Sequence, residues 1–147
     1  MEEKAYSFSL VRTEFRYEFF STSTEKVVKK VVLFTETSAS MVYNLALLDE
    51  LENGELSDIS ETNNNDLVMV MATVIQIVDE FLKIKPEYFV IFRGSDERRQ
   101  RLYRIIISRE LLKIQKKFDI FGGIGEDFIA DFEPNEEYDF YIIRQKR

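Results

Sequence analysis

Residues 87–104 read EYFVIFRGSDERRQRLYR, an apolar run that stops at a glycine and turns into an arginine-rich helix start. Tyr88, Phe89, Val90, Ile91 and Phe92 put apolar side chains on both alternating faces, the pattern of a strand central in its sheet and covered on both sides. Gly94 frees the backbone to turn, through a positive dihedral or a close approach of strand and helix. Ser95 is the expected N-cap, and Asp96 and Glu97 place negative charge in the first helical turn, where the helix dipole favours it. On the helix that follows, Arg98, Arg101 and Arg104 step round one side while Tyr103, Ile107, Leu111 and Ile114 form the opposing apolar stripe. Leu102, Ile105 and Leu112 form a second apolar set. Either the helix is buried on two sides, or it breaks near Ser108, which would cap a second helix from Arg109; the spacing favours the break.

Upstream, Asn64 or Asn65 is placed to cap a helix from Asp66 or Leu67 that ends at Lys85-Pro86. Thr73, Gln76, Asp79, Glu80 and Lys83 fall in its polar sector; Leu67, Val70, Met71, Val74, Ile75, Ile77, Val78, Phe81 and Leu82 make the other side, so this is the main core helix. Before it, residues 6–20 alternate as a strand with one wet face, residues 27–35 and 41–48 read as two more, and the three make an antiparallel meander. Residues 51–65, with Asn53-Gly54 and three asparagines, read as an exposed acidic connection.

Downstream, residues 118–121 read as a short strand stopped by Gly122-Gly123. The glycine cluster precedes acidic residues and a strand pattern, not a helix whose N-terminus would hold a phosphate, so it reads as a turn. Phe128, Ala130 and Phe132 suggest a strand, residues 133–137 a turn containing Pro134, and residues 138–143 a final strand. The fold class expected is α+β: an antiparallel sheet built from the N-terminal meander, the central strand and the C-terminal strands, packed by two main helical regions in a single domain over 1–147.

Composition narrows the chemistry. Hydrophobic residues at 45%, with 13 Phe and 7 Tyr, exclude a disordered chain, and the apolar runs fall short of a membrane span. Met1-Glu2-Glu3-Lys4 lacks the basic and apolar regions of a signal peptide, so a soluble cytoplasmic protein is expected. With no Cys and no His, the chain lacks thiolate metal sites, cysteine nucleophiles and the commonest general base, and no cofactor or metal is expected. Residues 93–117 hold nine basic and three acidic side chains, so a chain of formal charge −7 carries a local +6 and leaves −13 elsewhere. Residues 49–66 and 119–139 contain no Lys or Arg at all, so the molecule is electrically two-sided.

The lead-in Asn63-Asn64-Asn65-Asp66 to an apolar helix, and above all Gly94-Ser95 followed by Arg98, Arg101, Leu102, Tyr103 and Arg104, carry a resemblance that spans most of the chain. In these features the sequence resembles an uncharacterised family of small bacterial proteins, a domain of unknown function with many members in Bacteroidetes. The resemblance implies a bacterial, cytoplasmic setting and no mechanism.

The candidate binding residues are therefore Gly94, Ser95, Arg98, Arg101, Tyr103 and Arg104. The first reading is a non-enzymatic interaction or structural subunit whose basic helix pairs with acidic surfaces: its own 119–139 block, another copy in a homo-oligomer, or an acidic protein partner. The alternative is a module for a phosphate-bearing ligand or nucleic acid, centred on the Gly94-Ser95 helix N-terminus. An enzyme would have to use carboxylates and arginines, with Glu97 or Asp96 as base beside Arg101, and the spacing does not recommend it.

Overall fold

The computed structural model describes residues 4–12, 15–57 and 66–147. The strands are β1 (Phe8–Arg12), β2 (Arg16–Thr22), β3 (Val27–Glu36), β4 (Val42–Glu50), β5 (Leu56–Ser57), β6 (Phe89–Phe92), β7 (Phe118–Ile124), β8 (Phe128–Asp131) and β9 (Phe140–Gln145). Three helices complete the described residues: α1 (Leu67–Ile84), α2 (Glu97–Arg109) and α3 (Leu111–Ile114). The nine strands form one sheet in the order β1-β2-β3-β4-β6-β9-β7-β8, with β5 beside the end of β4. Only β4 and β6 pair in parallel, Tyr43 opposite Val90, because the connection between them crosses over through α1. The fold is α+β, as the sequence leads one to expect, and β6 is central, between β4 and β9.

The core lies between the sheet and the helices. Alternation sends Tyr17 and Phe19 of β2, Val32 and Phe34 of β3, Tyr43 and Leu45 of β4, Val90 and Phe92 of β6, and Tyr141 and Ile143 of β9 to one face. Onto it α1 presses Val74, Ile77, Val78, Phe81 and Leu82, while Tyr103, Ile106, Ile107 and Ile114 come from α2 and α3. Phe81 is the hub of its half: its ring stacks on Phe34 with centroids 4.0 Å apart and meets Phe15 and Tyr43 edge-on, each at 5.1 Å.

The other sheet face has no helix over it among the described residues, which corrects the expectation that β6 is covered on both sides. Phe89 and Ile91 are only half-buried. Arg144 and Arg147 shield the Phe89 ring with their guanidinium groups, 5.5 and 5.4 Å from its centroid, while Arg144 Nε also pairs with Asp119 at 3.0 Å. Across β2, β3 and β4 the same face carries an ion-pair ladder in which Lys29 Nζ and Arg16 each bridge Glu18 and Glu50. Burial alone would raise the Glu18 carboxyl; hydrogen bonds from Lys29 and Arg16 outweigh that and hold it below the usual carboxylate range.

Several boundaries differ from the sequence reading, each for a local reason. Residues 6–20 are two strands, β1 and β2, with Phe15 at a φ of 59° just before β2. Asn64 and Asn65 lie outside the described residues; Asp66 is the N-cap of α1, yet its carboxylate accepts from Tyr6 Oη at 2.7 Å and Ser21 Oγ at 2.5 Å instead of from a helix amide. Thr73, placed in the polar sector, is buried, with its hydroxyl donating to the Met69 carbonyl and accepting from the Tyr6 amide. The second helical region does break, but at Glu110 and not at Ser108, which sits inside α2.

Gly122 and Gly123 do not stop a strand; β7 runs through them to Ile124. A Cβ at Gly122 would lie 2.2 Å from the Tyr138 ring, and one at Gly123 would lie 2.0 Å from the Phe140 ring. The two glycines are bare backbone on which two aromatic rings rest, one on each face of the strand. The final strand accordingly starts at Phe140, later than the expected 138.

Burial pushes the Tyr141 phenol from its ordinary 10.0 up to about 12, against a smaller opposing pull from the Arg104 guanidinium. The folded state favours the neutral phenol, so this stabilisation is complete below pH 10.0 and is lost as pH rises from there to about 12. Unfolding free energy should fall across that window, and Tyr141→Phe should flatten the fall while costing about 1 kcal/mol at neutral pH for its lost hydrogen bond. Denaturant titrations over the alkaline range check this; an equally steep fall in Tyr141→Phe would assign alkaline unfolding to other groups.

Candidate functional site

The junction from β6 to α2 is built by contact. Gly94 does not have a positive φ. Its requirement is space: a Cβ there would sit 2.3 Å from the Gln100 nitrogen and 2.7 Å from the Arg99 carbonyl carbon, both backbone atoms that cannot swing away. The strand end and the first turn of α2 thus touch backbone to backbone. Gln100 seals the contact. Its Oε1 accepts from the Gly94 amide at 2.6 Å, its Nε2 donates to the Tyr138 carbonyl at 2.8 Å, and its own carbonyl accepts from Tyr141 Oη at 3.1 Å.

The cap of α2 is Asp96, which corrects the expectation for Ser95. Asp96 has an extended backbone and its Oδ1 accepts from the Arg99 amide at 2.8 Å. Ser95 Oγ instead accepts from Arg99 Nη1 at 2.5 Å. Both residue types cap helices well, and the one-residue shift follows from the Gly94–Gln100 contact, which fixes where the helix begins.

The six candidate residues separate into two groups. Gly94 and Tyr103 face inward; Tyr103 is buried with its ring edge-on to Phe92, and burial raises its phenol despite the nearby Arg99 guanidinium. Arg104 is mostly enclosed too, with its guanidinium 3.5 Å from Glu137, whose side chain is 92% exposed. Ser95, Arg98 and Arg101 face outward. Arg101 has no ion pair or side-chain hydrogen bond among the described residues.

Sharing that outward side with Arg98 and Arg101 are Ile105, Arg109 and, beyond the break, Leu112, at successive three- and four-residue steps. Ile105 is about half-exposed, and Leu112 at 81% is the most exposed large apolar residue described. The second apolar set is thus not a second buried face, apart from Leu102, which is partly covered. It is a basic and apolar outer surface. The 119–139 block does little to neutralise it within the molecule: Arg104–Glu137 is its one described ion pair to α2, while Asp119 is taken by Arg144.

Sequence reading missed Gln100, and it missed a buried ion pair. Lys30 Nζ lies 2.6 Å from Asp49 Oδ1 on the helix-covered face of the sheet, with side chains 10% and 6% exposed. The signal was present in the alternation, since Lys30 shares parity with Val32 and Phe34, and Asp49 with Leu45 and Leu47. Among the described residues no cluster of three or more carboxylates gathers to hold a metal ion, and no helix is long and apolar enough to cross a membrane.

The chain belongs to the family of unknown function DUF6934, whose profile matches residues 2–146. No curated protein and no solved structure matches the chain.

The geometry ranks three substitutions. Gly94→Val should destabilise by about 3 kcal/mol, because backbone must move to admit it. Asp96→Ala should cost about 1 kcal/mol as a lost cap, and Ser95→Ala should stay within about 0.5 kcal/mol, as an exposed surface change does. Equilibrium denaturation of the three variants checks the order; a Ser95→Ala cost larger than that of Asp96→Ala would reverse the capping assignment.

Proposed function

We propose that this chain is a non-enzymatic interaction subunit that docks an acidic, partly apolar protein surface on the outer face of α2 and α3. The observation that carries the reading is Arg101, exposed and unpaired among the described residues, in line with the exposed Ile105 and Leu112. Guanidinium groups pair with carboxylates in bidentate fashion, and apolar side chains between them supply the area that charge alone does not. A nucleic-acid surface fits less well. The Gly94 amide that would meet a phosphate already donates to Gln100, and the Asp96 carboxylate occupies the helix N-terminus. The isoleucine and leucine on the face also offer no stacking platform for bases.

Fluorescence anisotropy with two labelled probes at about 50 mM salt tests the reading: a short acidic peptide containing phenylalanine and isoleucine, and a single-stranded oligonucleotide of equal charge. The peptide should bind more tightly, and Arg101→Glu should weaken it by about tenfold or more. Tighter binding of the oligonucleotide, or a peptide affinity indifferent to Arg101→Glu, would overturn it.

A further inference from the structure

We infer that the partner of the α2–α3 face is a second copy of this chain, which presents its β7–β8 hairpin. This rests on the docking role assigned to that face and names what docks there. On the hairpin, Ile124 and Phe128 are cross-strand partners on one face and are each about half-exposed, and Ile129 is exposed on the other face. At the turn beside them Glu126 and Asp127 are exposed and make no ion pair among the described residues. One surface is apolar and basic, the other apolar and acidic, and neither satisfies the other within one molecule. Paired between two copies, each covers the exposed apolar groups of its counterpart and matches its charge.

The hairpin is also held ready for contact. β8 is the last strand of the sheet, so its outer edge is unpaired among the described strands. The rings of Tyr138 and Phe140 brace β7 at Gly122 and Gly123, and the Gly125 amide, at the turn, donates to Asp139 Oδ2 at 2.8 Å. The helix face opposite is fixed by Gln100. Two rigid, complementary surfaces lose little entropy on docking. Charge at the rim makes the contact sensitive to salt, and the apolar centre limits how far salt can dissolve it.

Sedimentation velocity of the intact chain at about 50 and about 500 mM salt tests the assignment. Self-association should be present at low salt and weaken by about tenfold or more at high salt. Arg101→Glu should abolish it, and so should the Glu126→Lys/Asp127→Lys double substitution; circular dichroism should show both variants folded, since every changed residue is exposed. Mixing the two monomeric variants should restore a one-to-one complex, because an intact helix face then meets an intact hairpin. A chain monomeric at low salt, variants that still associate, or a mixture that does not combine would each overturn the inference. If the monomeric chain still binds the acidic peptide through Arg101, only this assignment fails; if it binds neither peptide nor itself, the docking role fails with it.

Discussion

The Gly94 amide donates to Gln100 Oε1, Gln100 Nε2 donates to the Tyr138 carbonyl, and Tyr141 Oη donates to the Gln100 carbonyl, so one glutamine joins the end of β6 to the segment that leads into β9. Each of these groups is at least partly withdrawn from water, where a lost partner costs about 1–3 kcal/mol. Gly94 is the steric half of the same arrangement, since any side chain there would push α2 off the strand. With α2 fixed at this point, Tyr103, Ile106 and Ile107 are committed to the core, and Arg98, Arg101, Ile105 and Arg109 are committed to solvent.

That commitment explains how a chain of net charge −7 comes to display a basic surface. The sheet places its ion-pair ladder on the face away from the helices, and it buries one further pair, Lys30 with Asp49, beneath them. Breaking such a buried pair by removing one partner costs several kcal/mol, so this pair reads as part of the fold. The arginines of α2 are different. Arg104 lies along the protein and meets Glu137, whereas Arg101 projects outward beside apolar neighbours. The same helix therefore contributes packing on one side and an exposed, basic surface on the other.

Helix α1 was legible because eighteen residues repeat an apolar spacing that only a helix satisfies. The first part of the meander was legible from the alternation of polar and apolar residues along β2. What stayed hidden depends on partners distant in sequence. Nothing near Gln100 announces bonds to residues 38 and 41 positions away. Gly122 and Gly123 resemble a strand stop until Tyr138 and Phe140 are seen lying on them. The apolar run of β6 suggested two covered faces because alternation cannot distinguish a second layer of structure from arginine side chains folded over a ring. In the candidate site, the three-residue spacing of Arg98, Arg101 and Arg104 placed them on one side, but each step turns about 60° round the helix. That drift is enough to carry Arg104 to the protein surface beside Glu137 and leave Arg101 in solvent.

The claim on which the rest stands is that Gln100 locks α2 to the central strand through the Gly94 amide. Native-state hydrogen exchange followed by NMR reads that amide directly. The Gly94 proton should exchange only as slowly as the protected amides of β6 in the native chain, and in Gln100→Ala it should exchange by local opening while β6 stays protected. A Gly94 amide that exchanges freely in the native chain, or that is equally protected without Gln100, would contradict the account.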